Sequence, residues 1–92
     1  MTPPLLIGNW KSNSTWSEAL GLVEAGIAAK DAVGESVWVG VAPPFPWLMA
    51  LKDQIQASDL WMGAQNCSAT ENGAFTGEVT AAMLQECATF VI

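Results

Sequence analysis

Asn9 and Lys11, within the stretch IGNWKSN, are the residues of this sequence whose types and spacing could act on an anion. Lys11 is one of three cations, all lysines, in a chain with nine carboxylates. It follows Leu5-Leu6-Ile7-Gly8-Asn9-Trp10, an apolar run that reads as a buried strand. Asn9 and Lys11 therefore fall at or just past the C-terminal end of that strand, where α/β proteins build their sites. An ammonium in such a place can bind an anion and stabilise negative charge that develops during a reaction. The position alone defines no activity.

Other chemistry-bearing groups are few. The chain has no histidine, and its two cysteines, Cys67 and Cys87, lie outside any Cys-x-x-Cys spacing. A zinc site and a histidine-based triad on this chain alone are thereby excluded. The cysteines read as packed, reduced thiols. Glu71 and Glu78 are carboxylates in a loop, with no motif that supports a role as base.

The positioning elements must come from a short and apolar chain. Ninety-two residues allow at most one domain, so residues 1–92 read as a single segment. Hydrophobic residues make up 51% and charged residues only 13%, with five tryptophans. That apolar excess requires cover from another chain or from further sequence. The net charge of −6 disfavours nucleic-acid binding through phosphate neutralisation, and equally an anionic membrane surface. No apolar run approaches the roughly 18 to 20 residues that cross a bilayer. Met1-Thr2-Pro3-Pro4 lacks the basic region and apolar stretch of a signal peptide, so the chain reads as cytoplasmic.

Hydrophobic periodicity alternates between the two regular structures. After the first strand, Thr15 and Glu18 form a capping-box pattern, and apolar residues recur at Ala19, Leu20, Val23 and Ile27, predicting a helix that ends near Lys30 and before Gly34. Val37 to Val41 reads as a second strand, stopped by Pro43-Pro44. Pro46 can stand in the first turn of a second helix, with Trp47, Leu48, Leu51 and Ile55 on its buried face. Leu60 to Ala64 reads as strand three, Thr80 to Glu86 as a third helix, and Thr89 to Ile92 as strand four. Four strands with three crossover helices imply an α/β fold with a parallel sheet, all helices on one face and the other face and both edges uncovered. Between strand three and the last helix, Gln65 to Glu78 is more than twice the roughly 2 to 6 residues usual for such connections. Its lone Phe75, beside Thr76, suggests an arm that docks on a partner.

The motifs GNWKSN, APPFPWL, GAQN and NGAFTGEVTAAML, in this order and spacing, resemble triosephosphate isomerase from Leu5 to Ile92. GNWK together with GAFTGE is the most specific part. The resemblance implies the first half of a (β/α)₈ barrel, the β1-α1-β2-α2-β3-α3-β4 portion, from an enzyme that interconverts glyceraldehyde 3-phosphate and dihydroxyacetone phosphate without a cofactor. It implies that Asn9 and Lys11 bind the phosphorylated triose, with Lys11 also stabilising its developing charge. Gln65, Asn66, Phe75, Thr76 and Glu78 are implied to support the site or to form a subunit interface. Trp10 and Phe45 read as packing, and Ser12 departs from the larger apolar residue common at that point of the motif.

The family's electrophilic histidine, glutamate base, closing lid and phosphate-binding loops have no counterpart in these residues. Proton abstraction beside a carbonyl requires a positioned base. The expectation is therefore an N-terminal segment that is inactive without the remaining barrel. The alternative is a non-catalytic, self-associating unit of the same family. Either a homo-oligomer or a complementary barrel segment would satisfy the uncovered sheet.

Overall fold

Strands β1 (Leu5–Asn9), β2 (Trp38–Ala42), β3 (Trp61–Ala64) and β4 (Phe90–Val91) form one parallel sheet in sequential order. The structure, a computed structural model, describes residues 2–92. Helices α1 (Trp16–Val33), α2 (Phe45–Gln56) and α3 (Ala81–Leu84) occupy the three crossovers. In the ladder, Leu5 lies opposite Trp38, Asn9 opposite Ala42, Gly40 opposite Trp61 and Gly63 opposite Phe90. Crossovers of one hand that advance in one direction carry all the helices to one side. The core lies there: Ala19 and Val23 of α1, Leu48, Leu51 and Ile55 of α2, and Leu84 of α3 meet Val41, Met62 and Ala64.

Local chemistry explains most helix ends. The hydroxyl of Thr15 accepts from the Glu18 N–H, and the Glu18 carboxylate accepts from the Thr15 N–H at 3.0 Å, completing the capping box. Those bonds, first the backbone one and then that from the Thr15 hydroxyl, hold the Glu18 carboxyl below its usual range. α1 runs past Lys30 and ends at Val33, just before Gly34, as its pattern predicts. Lys30 is buried and its ammonium donates to the carbonyls of Gly34 and Val37, at 2.6 and 3.0 Å. These bonds satisfy the charge and tie the last turn to the approach of β2. Gly34 ends the helix with a left-handed φ of 58° that suits a residue without Cβ. Leu20, expected on the buried face, is exposed, and Lys30 takes a place in that stripe.

The last crossover is tighter than its sequence suggests. α3 has only four residues, where Thr80 to Glu86 was expected, and Thr80 caps it by accepting from the Met83 N–H. A turn follows in which the Glu86 and Cys87 amides bond three residues back, to Met83 and Leu84. β4 is likewise shorter than Thr89 to Ile92, although the amides of Thr89 and Ile92 still bond to Met62 and Ala64.

Strand alternation puts Leu5, Ile7, Trp38, Gly40, Trp61, Gly63 and Phe90 on the face away from the helices. Trp38 and Trp61 stack there with centroids 5.1 Å apart. The Phe90 ring lies directly over Gly63, where a Cβ would come within 2.2 Å of it. Among the described residues no helix covers this face, and Leu5, Ile7 and Trp61 are exposed on it. On the helix side, Leu6 of β1 is 61% exposed. Trp10 is buried in the core and Phe45 packs against it, as expected of packing residues.

Candidate active site

The C-terminal ends of β1, β2 and β3 converge on one shallow cleft of about 240 Å³, lined by Lys11, Ser12, Phe45, Gln65 and Asn66 with two prolines. Its geometry begins with the turn that follows β1. The Lys11 N–H donates to the Asn9 Oδ1 at 2.9 Å, and Lys11 adopts φ 55°, in the left-handed region. That conformation costs a Cβ-bearing residue about 1–2 kcal/mol, so surrounding bonds must hold it. Gln65 supplies them: its Nε2 donates to the Lys11 carbonyl at 2.8 Å and to the Ala42 carbonyl at 2.7 Å. The Trp10 N–H donates to the same Ala42 oxygen at 3.2 Å, using its second lone pair. One side chain from the end of β3 thus ties the ends of β1 and β2 together.

The rest of the turn is secured from α2. The Trp47 indole N–H donates to the Ser14 carbonyl at 3.1 Å, while its ring meets Trp16 at a centroid distance of 5.6 Å. The Asn13 amide donates to the Trp10 carbonyl. Lys11 itself is exposed, so its ammonium is presented to solvent from a backbone held on three sides. This arrangement can bind an anion with a charged donor. The cleft lining contains no carboxylate, imidazole or thiol that could move a proton at carbon.

Among the described residues, no group of three or more His, Cys, Asp or Glu is placed to hold a metal ion. Cys67 and Cys87 are free, half-buried and packed against the core, as the sequence reading expects. Burial pushes the Cys87 thiol up, against a smaller opposing influence of Lys52. That direction disfavours the thiolate a nucleophile needs.

The structure thus brings Asn9, Lys11, Gln65 and Asn66 together and places Phe75, Thr76 and Glu78 elsewhere. Those three lie on the arm after β3, whose base is closed by the Ser68 N–H on the Val79 carbonyl at 2.7 Å. The Glu78 N–H donates to the Phe75 carbonyl, and Gly77 turns the chain at φ 87°. The arm is built by its own bonds and presents Phe75 half-exposed, at 51%. Sequence patterns missed Trp47 as a brace for the loop and Ala42 as a doubly used acceptor. The Pro43-Pro44 pair after Ala42 was the available signal, since it ends the ladder there.

The triosephosphate isomerase family model matches residues 4–92. The chain belongs to the triosephosphate isomerase family. It is 48% identical over 83 residues to the triosephosphate isomerase of Hahella chejuensis and 46% identical over 87 residues to that of Carboxydothermus hydrogenoformans. These alignments cover 90% and 94% of this chain but only 33% and 34% of those relatives. The chain spans about a third of the length of the curated relatives it matches. The crystal structure of triosephosphate isomerase from Bartonella henselae superposes on 99% of this chain and 36% of that one, at 30% identity and a TM-score of 0.83. The sheet is accordingly the first half of a triosephosphate isomerase barrel, and the cleft lies on the face where such barrels carry their sites. Among the described residues, no helix is long and apolar enough to cross a membrane.

Proposed function

We propose that this chain supplies one wall of a triosephosphate isomerase active site, the wall that binds the anionic triose, in a cytoplasmic enzyme of glycolysis and gluconeogenesis. Asn9 and Lys11 hold the phosphorylated substrate, and the ammonium stabilises the negative charge that forms on oxygen when a proton leaves the adjacent carbon. The observation that supports this reading is the locked backbone of Lys11, held left-handed between the Asn9 side chain and the Gln65 amide at the sheet's C-terminal edge. A solvated surface lysine has no need of such bracing. Gln65 and Asn66 position the lysine, while Phe75, Thr76 and Glu78 on the arm contact a neighbouring subunit.

The base and the electrophile that move the protons come from sequence that completes the barrel, so the 92-residue chain by itself does not isomerise trioses. General acid–base catalysis contributes about 10² to 10⁴-fold, and this chain's cleft has no group to supply it. The test is co-expression with the remaining two thirds of the Hahella chejuensis relative. The expected result is a complex with measurable isomerase activity, which Lys11→Met lowers by about 10² to 10³-fold while the complex stays intact. Equal activity with methionine at position 11 would overturn the assignment.

A further inference from the structure

The turn between β1 and α1 holds two residues in backbone conformations that suit glycine. Among the described residues, Lys11 and Ser14 are the only non-glycine residues with positive φ, at 55° and 93°. A residue with a Cβ keeps such a backbone only where its surroundings over-determine it, and such positions gather at functional sites. Gln65 and the Asn9 side chain account for Lys11. Ser14 is held by different groups. The peptide unit that follows it is gripped at both polar atoms: its carbonyl accepts from the Trp47 indole N–H at 3.1 Å, and its N–H, that of Thr15, donates to the Glu18 carboxylate at 3.0 Å. With that peptide fixed on one side and Lys11 on the other, Ser14 takes positive φ to close the turn.

We infer that Trp47 is a positioning residue for Lys11: its indole N–H holds Ser14 in the glycine-like backbone, so the turn that presents the ammonium keeps one shape. The inference rests on the reading of Lys11 as the group that meets the anionic triose. Trp47 stands 33 residues from Ser14 and does not line the cleft, so it acts on the site only through the turn. Its mount is rigid. Pro44 and Pro46 fix the backbone at the start of α2, and the ring rests on Trp16 at a centroid distance of 5.6 Å. An indole carries a single donor, so a seated ring gives the N–H one aim. Freed from it, Ser14 returns to the negative φ that its Cβ favours, and the displacement passes through Asn13 and Ser12 to Lys11.

The complex with the remaining two thirds of the Hahella chejuensis relative is the material for the test. Trp47→Phe keeps a ring against Trp16 and removes the donor. It should lower kcat/KM by about 3- to 10-fold, the effect of one lost hydrogen bond. In a Lys11→Met background it should change kcat/KM by less than about twofold, because there is no ammonium left to aim, whereas a merely structural tryptophan would cost the same in both. Ser14→Gly should recover most of the loss in the Trp47→Phe protein, since glycine adopts positive φ without a partner, and should change little where Trp47 is intact. The Lys11 amide, bonded to the Asn9 side chain, should exchange at least about threefold faster with Trp47→Phe and slow again with Ser14→Gly. Exchange needs no turnover, so an inactive unaltered complex would strike the isomerase reading and leave the brace to be decided by exchange. Should Trp47→Phe fail to assemble, Ser14→Val decides with Trp47 in place: a β-branched residue resists positive φ and should show the same Lys11-dependent loss and faster exchange. Equal losses with and without Lys11, no recovery by Ser14→Gly, unaltered Lys11 exchange, or a Ser14→Val protein that matches the unaltered one would each overturn the proposal.

Discussion

Lys11 combines two features that selection for stability alone would not place together: a long charged side chain and a left-handed backbone. Its neighbours account for the second. Gln65 donates to the carbonyls of Lys11 and Ala42, and Asn9 accepts from the Lys11 amide. Removing the Gln65 amide leaves the Lys11 carbonyl without its donor, leaves the Ala42 carbonyl with the Trp10 N–H alone, and unties β1 from β3. Gln65→Ala should therefore lower stability by about 1–3 kcal/mol in urea unfolding, a loss of two hydrogen bonds. In the completed barrel it should also lower isomerase activity with Lys11 still present, because the ammonium is no longer held in register. Unchanged stability would mean that the turn holds itself.

The capping box illustrates how an element end carries a pH dependence. Glu18 is fully exposed, yet its carboxyl sits below its usual range because it accepts from the Thr15 N–H and hydroxyl. In the unfolded chain the same carboxyl takes up its proton at higher pH. The stabilisation is therefore complete above the ordinary carboxylate range and is lost as pH falls through the lowered folded value. The amides of residues 16–20, followed by exchange or NMR, should fray first on acidification. Glu18→Gln should flatten that dependence at the first turn of α1 and leave the last turn, which Lys30 and Gly34 secure, unchanged. Fraying at equal pH in both proteins would assign the effect to other carboxylates.

Across the described residues, one face of the sheet is packed against the helices and the other leaves Leu5, Ile7 and Trp61 exposed. The packing on that second face is carried by aromatic rings, with Trp38 stacked on Trp61 and the Phe90 ring seated on Gly63. Gly63→Ala would push a Cβ into that ring, and either Phe90 swings away or β4 separates from β3. Stability should fall by about 1–3 kcal/mol, as overpacked sites do, and protection of the Ile92 amide should fall with it. Gly40→Ala meets the Trp61 Cβ and the Phe90 ring at 3.3 to 3.4 Å, so a few tenths of an ångström of movement accommodates it at a smaller loss. Reversal of that order would show that β4 is held by its backbone bonds to Met62 and Ala64 and not by the ring.

Much of this architecture is written in local chemistry. Apolar runs of β-branched and aromatic residues, the Thr15 and Glu18 pair and the prolines after β2 mark four strands and the first two helices without reference to distant contacts, because each depends on residues a few positions apart. The same holds for the nearness of Asn9 and Lys11, which share one turn. What tertiary structure decided depends on groups that sequence keeps far apart. Lys30 looks like a surface charge until the carbonyls of Gly34 and Val37 close over it. α3 is one turn long, followed by a turn through Glu86 and Cys87 before the Thr89 amide meets the Met62 carbonyl. Gln65 reaches 54 residues back to Lys11, and only the parallel order of β1, β2 and β3 makes that contact possible. Periodicity reports which face of an element is apolar; it does not report which polar side chain will find a carbonyl across the sheet, since that is set by register and not by pattern.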